Sequence, residues 1–205
     1  MNLKSNVVGL LMLTLILTGC TSIPLMSMVK LGQLDPLTAD PTLIRIAIRT
    51  TKAVGLQKGD VRMNLNYVAD DNSLVIDDLY LVEVRHDSIL SKTLIDGLEK
   101  HEAVTIMHLA PSDARQMRQT QKLIAHRKAN DLEGSGGFGV SINSSCLHGD
   151  LPTDEMLVDI FLQTDPNEDY FAISEDLDLF QQEGIEDLKQ WPKCDVAQQL
   201  GSADD

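Results

Sequence analysis

Residues 61–84 read VRMNLNYVADDNSLVIDDLYLVEV, and this stretch decides the fold. Val61, Met63, Leu65 and Tyr67 alternate with Arg62, Asn64 and Asn66. A period of two puts the apolar set on one face of a strand and the polar set on the other. Asp70-Asp71-Asn72-Ser73 is a turn by composition. Leu74-Val75-Ile76 and Leu79 to Val84 continue as a longer strand, or two. The link is too short for a crossover, so the pairing is antiparallel.

Upstream, Ile44, Ile46 and Ile48 alternate with Arg45, Ala47 and Arg49, a second strand; Gly55 and Gly59 punctuate the loop after it. Downstream, Leu90, Leu94 and Leu98 recur at helical spacing, and Gly97 shortens that helix. Thr105 to Ala110 reads as a strand. Pro111-Ser112-Asp113 then opens a helix to about Asn130, with Ser112 as its expected N-cap. Its apolar stripe of Ala114, Met117 and Ile124 is thin, which suits a helix lying on a sheet. Its bases, Arg115 to Lys128, are expected to face an acidic C-terminal block, to lie against anionic headgroups, or simply to be solvated.

Gly134-Ser135-Gly136-Gly137-Phe138-Gly139 follows. A phosphate-cradling loop needs a strand before it and a helix after it. Here the order is reversed, so the stretch reads as a helix stop and turn leading into a strand from Val140 to Cys146. Met156 to Leu162 and Tyr170 to Ile173 are strands, and Ile185 to Trp191 a last short helix. The expectation is a mainly β chain: a single antiparallel, immunoglobulin-like β-sandwich over residues 43–196 with an inserted surface α-helix, then a polar tail over 197–205.

The chain has 205 residues, 43% hydrophobic and 23% charged, which fits one ordinary globular domain. It carries 17 Lys+Arg against 31 Asp+Glu, a net charge of −14. Nucleic acid is excluded as a partner, since phosphate binding needs a basic face. The imbalance is local: residues 150–205 hold 16 acids and two bases, Lys189 and Lys193. Such a block is a solvated face, or a docking surface for a cationic partner or divalent ions.

The front end reads MNLKSNVVGLLMLTLILTGC. Lys4 is a short positive n-region, and Val7 to Leu17 is an apolar run broken only by Gly9 and Thr14. A bilayer core of about 30 Å needs ~20 apolar residues, so this run is an export signal rather than a span. Leu17-Thr18-Gly19-Cys20 resembles the lipobox of bacterial lipoproteins. The resemblance implies diacylglycerol transfer to Cys20, cleavage between Gly19 and Cys20, and acylation of the new amino group. Residues 1–19 would be the signal peptide and 20–42 the lipidated start and tether. Three acyl chains hold a protein to a membrane without a spanning helix. In such lipoproteins an Asp after the Cys favours the inner membrane; Thr21 and Ser22 point instead to the outer membrane, facing the periplasm. Ser22-Ile23-Pro24-Leu25 and Asp35-Pro36-Leu37-Thr38-Ala39-Asp40-Pro41 are also similar to a group of uncharacterised proteobacterial envelope lipoproteins, a likeness that carries no activity with it.

With Cys20 lipidated, Cys146 and Cys194 remain, an even number for an oxidising compartment. A bridge between them would contribute roughly 4 kcal/mol in the chain-entropy model and would staple the acidic segment to the body. The alternative is two buried thiols. Asp165, Asn167 and Asp169 have the one-three-five spacing of a calcium loop, but Tyr170 and Asp176 stand where that loop wants Gly and Glu. A hairpin turn is the expected structure, with calcium the metal if one binds. The five histidines form no metal-ligand spacing, and no nucleophile signature occurs. The expected function is a non-enzymatic, lipid-anchored envelope protein that docks another envelope protein. The alternatives are a periplasmic cation- or small-ligand-binding module using the acidic third, and a hydrolase with no visible site.

Overall fold

The computed structural model describes residues 37–86, 89–152, 156–183 and 188–194. In chain order the elements are β1 (Arg45–Thr51), β2 (Val54–Gly55), β3 (Val61–Ala69), β4 (Val75–Arg85), α1 (Lys92–Ile95), β5 (Glu102–Leu109), α2 (Pro111–Lys128), β6 (Gly134–Ile142), β7 (Cys146–Leu147), β8 (Leu157–Gln163), β9 (Phe171–Asp178) and α3 (Leu179–Glu183). Seven strands form one antiparallel sheet in the order β6-β3-β4-β5-β1-β8-β9, and β2 and β7 pair separately.

The strands read as two stacked layers are thus joined in one ladder, and β4 is the reason. Its first part, Val75 to Leu81, pairs with β3, and its last part, Val82 to Arg85, pairs with β5. One eleven-residue strand therefore serves two partners in succession, and the sheet curls around a single core. Ile46, Ile48, Met63, Leu65, Tyr80, Met107, Met117 and Leu162 meet inside that curl.

The alternation in β3 is borne out residue by residue: Val61, Met63, Leu65, Tyr67 and Ala69 are buried, and Val68 is exposed. The segment from Val75 to Arg85 is one strand, not two. The expected turn at 134–139 is instead the first two thirds of β6, paired with β3 from Ala69↔Gly134 to Val61↔Ile142. Glycine is required here by contact, not by turning. A Cβ at Gly134 would strike the Tyr67 phenol, and one at Gly139 would strike the Asn64 carboxamide.

Helix α2 buries Ala114, Met117 and Ile124, as the thin stripe predicts. Its start differs. Ala110 is the N-cap, with no side-chain capping bond, and Pro111 begins the helix. Proline suits that place because its missing N–H has no partner to lose. Ser112 donates its hydroxyl to Asp113, and the other Asp113 oxygen accepts the Leu81 N–H at 2.8 Å. Thr120 donates to Asp78 at 2.8 Å, as does the Tyr80 phenol at 3.0 Å, so one carboxylate joins α2 to β4. Burial pushes the Tyr80 phenol up to about 12. Arg118 pairs with Asp40, Gln121 donates to the Ala39 carbonyl, and Arg127 reaches Asp71 and Ser73. These acids belong to the N-terminal segment and the β3–β4 turn, not to the acidic C-terminal block.

Among the described residues, α1 covers part of the outer face of the sheet. Leu94 is buried there against Ala47, Ile106, Phe161, Tyr170 and Ala172. Arg49 bonds Asp159 through Nε at 2.7 Å and Nη2 at 2.6 Å, donates to the Asp96 carbonyl at 2.8 Å, and lies 5.4 Å from the Phe161 ring centre. The other Asp159 oxygen accepts the Asp176 N–H at 2.8 Å. Asp176 has φ +54°, at the irregular stretch of the β8–β9 pairing. Among the described residues no helix is long and apolar enough to cross a membrane.

Candidate functional site

A cavity with mixed apolar and charged walls, the slot, lies where the described β4–β5 ladder ends. Their ladder ends at Arg85↔Ile106, and His86 is no longer strand. β5 runs on, with Glu102 to Thr105 paired to β1 from Thr51 to Ile48. Among the described residues no ladder partner lies on the other side of those four. The Ala110 N–H donates to the Leu81 carbonyl at 3.0 Å, which makes 81 and 110 a hydrogen-bonded pair. Antiparallel pairs alternate in kind, so 83 with 108 and 85 with 106 are also of that kind. One step further, the N–H and C=O of Val104 point to the register position of residue 87, which lies outside the described residues.

The β2–β7 pair closes the slot from another direction. After β1 the chain turns through Val54 and Gly55, which pair with Leu147 and Cys146. Cys146 is disulfide-bonded to Cys194, 48 positions on, with Cα atoms 4.8 Å apart. The Leu147 N–H donates to the Pro192 carbonyl at 2.8 Å and the Cys194 N–H to the Leu147 carbonyl at 3.0 Å. Gly55 is forced by this crossing. A Cβ there would run into both sulfurs and would sit 2.7 Å from His148 Nε2. Asp60 holds the next loop, accepting the Gln57 N–H at 2.8 Å and, through its carbonyl, the Asn143 N–H at 2.7 Å.

The cavity measures about 1030 Å³. Val54, Leu56, Val84, Val104 and Ile106 give it apolar walls. Among the described residues, Lys52, Lys58 and Arg85 line it with one acid, Glu83, and with His86 and His148. Lys58 is paired with Glu83, whose hydrogen bond and charge raise the Lys58 pKa above the ordinary lysine value. Lys52 donates to the Lys100 carbonyl at 2.6 Å.

The residues singled out from the sequence fall in three places. Gly19 and Cys20 lie outside the described residues, as do 185–187 of the expected helix at 185–191, whose residues 189–191 are turn and bend. Cys146 lines the slot and Cys194 is bonded to it. Asp165, Asn167 and Asp169 sit in the β8–β9 hairpin. There Asp165 accepts both the backbone N–H and the side-chain amide of Asn167 at 2.8 Å, and its carbonyl accepts the Glu168 N–H at 3.0 Å. Its carboxylate thus builds the turn. Among the described residues no group of three His, Cys, Asp or Glu side chains is placed to hold a metal. The acidic third is not one surface either: Asp159 is 7% exposed in its ion pair, and Asp178 caps α3 by accepting the Phe180 N–H at 2.9 Å.

Sequence reasoning missed the slot because its walls come from residues 52–58, 83–86, 103–106 and 146–148, each ordinary alone. The nearest signal was His148 two places after Cys146. No family model matches the chain, and neither a characterised protein nor a solved structure matches it.

Proposed function

We propose that this chain is an envelope lipoprotein, moored through Cys20, whose β domain docks a partner protein at the slot beside β5. The observation that carries docking is the slot itself: an apolar-walled cleft whose described lining includes Lys52, Lys58, Arg85 and Glu83, on an acidic protein. Volumes near 300–1,000 Å³ with a few placed polar groups are the usual form of a binding cleft. Opposite charges across an interface raise the encounter rate and select the partner. The leader and lipobox support the mooring, and Thr21-Ser22 supports the outer membrane, facing the periplasm. The Cys146–Cys194 bridge fits an oxidising compartment. The handover within β4 supports the immunoglobulin-like outline read from the sequence, with β4 as the strand that turns a corner between two layers.

A photo-reactive residue at position 58, carried by the full chain in intact cells, tests the docking. The expected result is one discrete envelope adduct from position 58 and none from position 123, on the exposed side of α2. Equal capture from both positions would count against the slot. Fatty-acid labelling tests the mooring: label should enter the native chain and vanish in Cys20→Ser. A native chain free of label would remove the anchor.

A further inference from the structure

The two edges of the seven-stranded sheet are built differently. β9 carries Glu175, Asp176 and Asp178, its pairing with β8 shifts register twice, and Asp176 sits at φ +54°. Charge and irregularity are the usual devices that keep an edge strand from pairing with another chain. β6 has neither. Its nine residues, GSGGFGVSI, hold no charge and no proline, and they pair with β3 in an unbroken register. We propose that β6 is the seat of a second copy of this chain, paired antiparallel, strand to strand, across a two-fold axis. The proposal is separate from docking at the slot.

Three observations carry it. The first is backbone direction. The Asp70 N–H donates to the Glu133 carbonyl at 3.1 Å, and the Asn143 N–H to the Asp60 carbonyl at 2.7 Å. Those bonds bracket β6, and antiparallel pairs alternate in kind, so its odd-numbered residues bond to β3. The N–H and C=O of Gly136, Phe138 and Val140 point the other way, where the described residues supply no strand. The flanks of β6, residues 129–133 and 143–149, are themselves described and do not pair there. A strand edge of this kind is a template for another strand. The second observation is fit. Phe138, Val140 and Ile142 pack only partly against the core. Centred on Phe138, a second β6 sets the two Phe138 rings opposite each other, Gly136 opposite Val140, and Gly134 opposite Ile142. Each branched residue thus meets a glycine, and opposed aromatic residues are a favourable cross-strand pair. On the outer face Ser135 meets Ser141 and Gly137 meets Gly139. The third is charge. The chain carries −14, which on average repels a copy, yet residues 134–149 hold no Asp, Glu, Lys or Arg. The nearest acid, Glu133, falls opposite Asn143 in this register and not opposite another acid. The contact is isologous, so it closes at two copies.

The test uses the full chain in intact cells. A photo-reactive residue at position 141, where the serine is exposed, should give an adduct of twice the chain's mass. The crosslinked peptide should contain residue 135 of the second copy. Charge then tests the register, with two differently tagged copies co-isolated from the same cells. Ser135→Glu with Ser141→Glu on both copies sets like charges opposite each other and should cut recovery about tenfold. Ser135→Lys with Ser141→Glu sets opposite charges there and should restore recovery, which a strand that had merely failed to fold would not do. An adduct of one chain's mass joining position 141 to residues 20–36 would make the chain's own front segment the occupant and overturn the second copy. An adduct with a different protein, no adduct at all, or equal recovery from all three forms would overturn it too. Capture from position 58 is read independently, so the slot and the β6 edge fail separately.

Discussion

The two halves of the curled sheet bury different numbers of faces. In β5-β1-β8-β9 both faces are covered, one by the core and one by the segment around Leu94. In β6-β3-β4 only the inner face is covered, and Val75 and Leu79 on the outer face are 65% and 52% exposed. The sequence follows this difference. β8 reads LVDIFLQ with five consecutive buried residues, while β3 alternates buried and half-exposed. A continuous apolar run marks a strand covered on both sides, and clean alternation marks one covered on one side. The charge within the β8 run, Asp159, is tolerated because Arg49 and the Asp176 N–H satisfy it.

The largest test of that contrast is Asp159→Ala. Removing one member of a buried pair leaves the other charge stranded and costs about 3–5 kcal/mol. Replacing Arg49 and Asp159 together by leucine should recover most of that loss in a urea melt. If the single change costs no more than a surface substitution, the second covered face is not a closed environment. Leu94→Ala comes next. A fully buried leucine cut to alanine costs about 2–5 kcal/mol, depending on how far the site collapses. The same denaturation curve should show a lower midpoint with an unchanged slope.

Smaller effects separate the halves more finely. Gly134→Ala forces a Cβ against the Tyr67 ring, and overpacking of this kind costs about 1–3 kcal/mol. A neutral result would mean that β6 is held more loosely than its nine paired residues suggest. Glu175 sits beside Asp159 and Asp176, and burial first, then those two charges, raises its carboxyl above the ordinary 4.5. Folding thus favours its protonated form. That contribution is fully present below pH 4.5 and is lost as pH rises through the raised folded value. Glu175→Gln should therefore raise Tm near neutral pH, with the gain shrinking toward pH 4.5. Leu79→Ser, on the bare face, should change stability by no more than about 0.5 kcal/mol.

Much of the strand content was legible because alternation and apolar runs report burial directly. β1, β3 and β8 lie within two residues of where periodicity put them. The cystine followed from counting sulfurs. β6 was not legible, because four of its nine residues are glycine, whose usual meaning is a turn. Here the meaning comes from Tyr67 and Asn64 on the neighbouring strand, a contact that no local pattern contains. The place of β1 between β5 and β8 was equally hidden, since its partners lie more than fifty positions away. Ser112 misled for a related reason: Pro111 already suits the helix start, and Asp113 is engaged with β4. The slot is lined from four separate stretches, 52–58, 83–86, 103–106 and 146–148, so no single one of them displays it.

The attachment of the leading segment has a mechanical consequence. Asp40 is held by Arg118, and the Ala39 carbonyl by Gln121, both on α2. A tug arriving along the chain from its front end meets that helix before it meets β1. The helix spreads the load along Met117 and Ile124 into the core that they share with Met107 and Leu109 of β5. Pulling on the segment before β1 thus loads the packed interior through α2 as well as through the first strand.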